Sequence, residues 1–169
     1  KILSRGEKWL DGLQFDRLPW HIRPEMLAFI ERLKNDSGKI VLLQAHQETM
    51  NTFSPKRLAT RLGEYANAID YILLDTSHGR GIPMSPEVLL PYVEALYNEP
   101  ALTNVGVGTA GGLDAQGVEH GLSRLVAEYP DLSWDAEAKL HPINECDKRP
   151  LDMNVVQQYL EASMAMVCE

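Results

Sequence analysis

A chain of 169 residues is long enough for one α/β domain, residues 1–169, with a sizeable core. Its 24 acidic residues against 16 basic ones, a net charge of -8, argue against a nucleic-acid partner, which favours a basic face. No apolar run approaches a membrane span, and KILSRGEKW has no apolar core after its charges, so neither a spanning segment nor a signal peptide is expected. Cys146 and Cys168 fall in no metal spacing, and a cytoplasmic location is expected.

Strand-like and helix-like segments then alternate along the chain. GLQFDRL (Gly12 to Leu18) is a weak first strand. A helix follows from about Arg23 to Lys34, with Pro24 in its first turn and Met26, Phe29, Ile30 and Leu33 as one apolar stripe. KIVLLQA (Lys39 to Ala45) predicts a buried strand, running out at Gln44 and His46. Ser54 with Pro55 predicts a capped helix to about Asn67. Asp70 to Leu74 is the third strand, ending at Asp75; Ser85 and Pro86 start the next helix, to Tyr97. Val105 to Val107 predicts a short fourth strand among glycines. Asp114 caps a helix to Tyr129, Leu132 to Ala136 is the fifth strand, and Leu151 to Met166 is the closing helix. HPINECDKRP (His141 to Pro150) reads as loop.

Five βα units in succession imply a parallel sheet. Two architectures fit: an open, five-stranded doubly wound sheet, or the last five units of a TIM-barrel-like (β/α)8 fold, which needs about 250 residues when whole. Either way the carboxyl ends of the strands are where chemistry is expected. Asp75, closing an apolar strand, loses hydration there and suits a proton donor. Gly111 and Gly112, with Leu113, feed the amides of the following helix towards the same place, an arrangement that holds anions. Arg80 is a candidate for gripping an anionic substrate. His46, His78 and His141 lie near strand ends with Asp135 and Glu137. An alternative set of His46, Asp75, His78 and Asp135 would hold a divalent metal, although the spacings match no metal motif. Walker loop, GxGxxG and nucleophile elbow are all missing, which argues against nucleotide hydrolysis and serine esterase chemistry.

The ordered segments YILLDTSHGRG, GVGTAGGLDAQGV, LSWDAEAKL and LDMNVVQQYLEAS resemble the second half of phosphoribosylanthranilate isomerase, a (β/α)8 barrel of tryptophan biosynthesis. The resemblance implies that Gly12–Leu18 and Lys39–Ala45 are strands four and five, and that the chain starts after strand three. It implies sugar-phosphate isomerisation, aldosamine to ketosamine, with Asp75 as general acid. It further implies phosphate binding at the amides of Gly111, Gly112 and Leu113, and Asp135 at the substrate. No metal or organic cofactor is implied, and the partner is a small molecule, a phosphorylated sugar; no nucleic acid or membrane is expected, and homo-oligomerisation stays open. The sequence also departs from the family. The family's cysteine base belongs to a strand this chain does not contain, its GGTG loop is HGRG here, and its serine–glycine turn is Ala136-Glu137-Ala138. Glu137 near a phosphate is unfavourable unless it points away or meets Lys139. Two readings therefore stand beside the isomerase: a metal-dependent epimerase or aldolase, and a non-catalytic barrel relative acting as a binding protein.

Overall fold

A computed structural model describes residues 10–16, 24–77, 80–141 and 150–168. Trp9, Trp20, His78 and Cys146 lie outside the described residues, as do the end proposed for the first strand, the start of the first helix and all but the two ends of the loop read over His141 to Pro150.

Five strands, β1 (Gly12–Phe15), β2 (Ile40–His46), β3 (Tyr71–Asp75), β4 (Gly106–Ala110) and β5 (Ser133–Asp135), form one all-parallel sheet in the order β1-β2-β3-β4-β5. The helices are α1 (Pro24–Ser37), α2 (Gln47–Thr52), α3 (Pro55–Gly63), α4 (Pro86–Tyr97), α5 and α6 (Met153–Val167). Helix α5 starts at Ala115–Gly117, widens into a π-helical turn at Val118–Leu122 and finishes at Ser123–Glu128. The fold is therefore α/β with a five-stranded parallel sheet, consistent with the open-sheet alternative; among the described residues β1 and β5 are its two edges.

Side chains alternate across a strand, and the register makes this decisive. Leu43, Ile72 and Val107 pair in one row, Ala45, Leu74, Thr109 and Trp134 in another. These rows face the helices: Val41, Leu43, Ala45, Ile72, Leu74 and Val107 join Ile30, Leu58, Leu62, Leu89, Val93, Leu122 and Leu125 in one apolar core. The alternate rows carry Gln44, Leu73, Gly108 and Ser133, then His46, Asp75, Ala110 and Asp135. Burial of the first set holds the sheet against its helices; the second set is free for chemistry.

Several local expectations are corrected. In α1 the inward face is Met26, Leu27 and Ile30, while Phe29 is 54% exposed, so the helix is rotated from the stripe read in the sequence. Lys34 explains part of this, since its ammonium meets Asp70 Oδ1 at 2.9 Å and needs the sheet side. Helix α1 ends at Gly38, whose φ of 62° suits the left-handed position beyond a helix. Ser54 and Ser85 do stand before α3 and α4, but neither side chain makes a cap; Ser85 Oγ instead donates to Glu87 Oε2. Asp114 and Asp152 do cap, accepting from Gly117 N and Asn154 N. Strand β4 runs Gly106–Ala110 rather than 105–107, because the ladder to β3 extends through residues of poor strand propensity.

Candidate active site

The carboxyl ends of β1 to β5 surround a cleft of about 360 Å³. Its lining includes Gln14 and Asp16 after β1, Gln44 and His46 of β2, Asp75 and Ser77, Ala110 to Gly112, and Asp135, Glu137 and Ala138. Asp75, Asp135, Gly111 and Gly112 are thus brought together, as parallel pairing of Asp75 with Ala110 and of Ala110 with Asp135 requires.

Asp75 is buried at 4% exposure, and both of its carboxyl oxygens are engaged. Oδ1 accepts from Ser77 N at 2.7 Å and from Ser77 Oγ at 3.0 Å; Oδ2 accepts from Gln44 Nε2 at 2.7 Å. Gln14 Nε2 in turn donates to Gln44 Oε1. His46 stands beside this chain of amides. Its Nε2 meets Asp16 Oδ1, and its Nδ1 is 3.5 Å from Asp75 Oδ2.

The glycine turn has a packing reason. Gly111 (φ 142°) and Gly112 (φ 54°) adopt backbone conformations that side chains disfavour. A Cβ on Gly111 would lie 2.5 Å from Thr76 Oγ1; one on Gly112 would lie 2.4 Å from the carbonyl carbon of Ile82. Met84 N donates to Gly111 O at 3.2 Å. The loop after β3 is therefore laid directly on this turn. Leu113 is turned into the core, 1% exposed.

The charges are one-sided. The lining carries the carboxylates of Asp16, Asp75, Asp135 and Glu137, and no Lys or Arg among the described residues. Lys139 does not meet Glu137: its ammonium pairs with Asp114 Oδ2 at 3.3 Å, beside a neighbouring recess. Burial pushes the Asp114 carboxyl up, but the Gly117 amide and the Lys139 ammonium outweigh it and hold it below the usual carboxylate range. Arg80 does not line the cleft; it is exposed, and its Nε donates to Ser77 O at 3.4 Å. Among the described residues no three His, Cys, Asp or Glu side chains converge to hold a metal ion; His78, a member of the metal set, is outside them.

Asp16, Gln14 and Ser77 are site residues that sequence reasoning missed. The rule that singled out Asp75, an acid at the end of a strand, applies equally to Asp16 in GLQFDRL. Compared with known proteins, the chain matches no family model and no curated protein.

Proposed function

We propose that this cleft catalyses acid–base isomerisation of an aminosugar, aldosamine to ketosamine, in the manner of phosphoribosylanthranilate isomerase, on a five-unit arc of a (β/α)8 barrel. The strand order supports the arc. β1 to β5 follow one another without reversal, and their core-facing rows all meet the helices on one side. Consecutive barrel units succeed each other in this way, whereas doubly wound sheets reverse their order at a switch point.

Asp75 carries the chemical reading. A buried carboxyl at the end of a central strand, fixed by Ser77 and Gln44 and opening on the cleft, is positioned for general acid catalysis. It protonates the ring oxygen, the ring C–O bond opens, and a base takes the proton from the adjacent carbon. The lining selects the substrate by charge. Two like charges 4 Å apart repel by about 4 kcal/mol at an effective dielectric of 20. With Asp75 holding its proton, the carboxylates of Asp16, Asp135 and Glu137 favour hydroxyl and amino groups over a phosphate at Gly111 and Gly112, and the preferred substrate is an aminosugar without phosphate there.

The test is incubation with an N-aryl ribosylamine, with and without a 5-phosphate, following ketosamine by NMR. Conversion of the unphosphorylated compound, lost in Asp75→Asn, is the expected result. Conversion of the phosphate ester alone would overturn the charge argument. No conversion of either would overturn the isomerase reading, and turnover abolished by a chelator would favour the metal-assisted epimerase or aldolase.

A further inference from the structure

We infer that Gln14 is the residue through which substrate orients Asp75: a sugar hydroxyl or amine donating to Gln14 Oε1 fixes the direction of the hydrogen-bond chain Gln14–Gln44–Asp75. The inference rests on the isomerase reading of the cleft and adds a positioning residue to it.

The register sets the three side chains on a diagonal. Gln14 pairs with Leu42, and Gln44 stands two residues beyond Leu42 on the same face of β2. Gln44 pairs with Leu73, and Asp75 stands two residues beyond Leu73 on the same face of β3. Each step crosses one strand and advances two residues, and a glutamine spans it. Gln14 Nε2 donates to Gln44 Oε1, and Gln44 Nε2 donates to Asp75 Oδ2 at 2.7 Å. At the outer end Gln14 is exposed and lines the cleft, and among the described residues its Oε1 takes no donor.

A glutamine amide has a donor end and an acceptor end of nearly the same shape, so such a chain can run two ways. Gln44 is 7% exposed and needs protein partners at both ends. As the chain stands, Gln44 gives a hydrogen to Asp75 and the cleft meets the carbonyl of Gln14. Turned round, a protonated Asp75 would donate to Gln44 Oε1, Gln44 to Gln14 Oε1, and the cleft would meet the Gln14 amide N–H. Both directions satisfy Gln44; they differ in what becomes of the proton of Asp75. In the reversed chain the amide holds it, and in the standing chain Gln44 does not compete for it. A substrate hydroxyl or amine on Gln14 Oε1 locks the standing direction, and each bond in the chain polarises the next. A phosphate dianion has no hydrogen to give there and locks nothing.

The test uses the reduced, ring-opened N-aryl aminoribitol, which keeps the hydroxyls and the amine of the sugar but cannot rearrange. Asp75 is followed by its ¹³C-carboxyl NMR titration with and without the analogue at saturation. Burial of the carboxyl by a ligand raises its midpoint, whereas locking a donor onto it lowers the midpoint. The expected result is a lower midpoint with analogue in wild type, and no lowering in Gln14→Met, which keeps the side chain's length without its polar ends. Gln14→Glu keeps an acceptor for the sugar but cannot donate to Gln44, so it binds the analogue and also shows no lowering. The titratable groups around Asp75 are His46, with Nδ1 at 3.5 Å, and the carboxylates of Asp16, Asp135 and Glu137; they are common to every comparison. With the N-aryl ribosylamine, Gln14→Met is expected to lose kcat/KM on the order of 2- to 10-fold, the worth of one hydrogen bond. A midpoint that rises or stays in wild type, or that falls equally in Gln14→Met, would overturn the inference. So would an analogue that wild type does not bind, or undiminished kcat/KM in Gln14→Met. The expected titrations without any ketosamine formation by wild type would uphold the chain and remove the isomerase instead.

Discussion

Gln44 Nε2 donates to Asp75 Oδ2 at 2.7 Å, binding a buried amide of β2 to the last residue of β3. Gln44 is 7% exposed and Asp75 4%, so neither side chain can turn to water for a substitute partner. An amide donor orients the carboxyl without placing a full positive charge beside it, as a Lys or Arg there would.

Asp75→Asn is expected to lower aminosugar turnover by about 10²–10⁴-fold while the fold persists. Asn keeps an acceptor for Ser77 N and Oγ, and Gln44 meets the new amide by rotating its own, with Gln14 rotating in turn to accept from it. The stability change is expected to stay within about 2 kcal/mol by denaturant unfolding. Full turnover in the folded variant would remove Asp75 from the chemistry.

Gly112→Ala and Gly38→Ala form a pair that separates conformation from crowding. Both glycines have positive φ, 54° and 62°, so each alanine bears about 1–2 kcal/mol of left-handed strain. A Cβ on Gly38 meets nothing within 4 Å, but on Gly112 it strikes the backbone of Gly81 and Ile82. Urea unfolding should show Gly112→Ala costing about 1–3 kcal/mol more than Gly38→Ala. Equal losses would mean the loop after β3 yields freely.

Acid should erode the contribution of Asp114. Its carboxyl lies below the ordinary range in the folded protein, so its stabilisation is complete above the unfolded value, about 3.9, and is lost as pH falls through the folded one. Asp114→Asn keeps a capping side chain without the charge. The stability gap between wild type and variant should be constant near neutrality and shrink below about pH 4. Unfolding curves across that range would expose a gap that instead widens.

Thr109→Val should stabilise. Thr109 is fully buried on the helix side of β4, and its Oγ1 has no hydrogen-bond partner among the described residues. Replacing that hydroxyl with a methyl of similar shape removes a desolvation cost of about 1 kcal/mol. Calorimetry should show Tm rising by about 2–4 °C; a fall would point to a water or partner at the hydroxyl.

The strands were legible wherever apolar residues run together, as in Val41 to Leu43 and Ile72 to Leu74, because burial on both faces leaves no polar positions. Helix α2 was not: QETMNT has no apolar period, and it folds because Thr49 and Met50 are buried beneath the end of β2. In the site, Asp75 and the glycine pair could be read from position along a strand. The meeting of His46 with Asp16, 30 residues apart, could not, because it depends on the register of β1 against β2. The partner of Lys139 stayed open in the sequence for a related reason. Glu137 is two residues away in sequence, yet the 3₁₀ turn at Ala138–Leu140 carries the lysine round to the cap of α5.

The backbone contact between Gly112 and Gly81–Ile82 makes that turn a party wall between two rooms. One is the carboxylate-lined cleft; the other, about 330 Å³, is bounded by Pro83, Met84, His120 and the Asp114–Lys139 pair. Met84 N donates to Gly111 O, so the loop after β3 and the glycine turn form one partition. The same two backbone segments therefore set the shape of both recesses, and a substitution that moves either segment reshapes the two together.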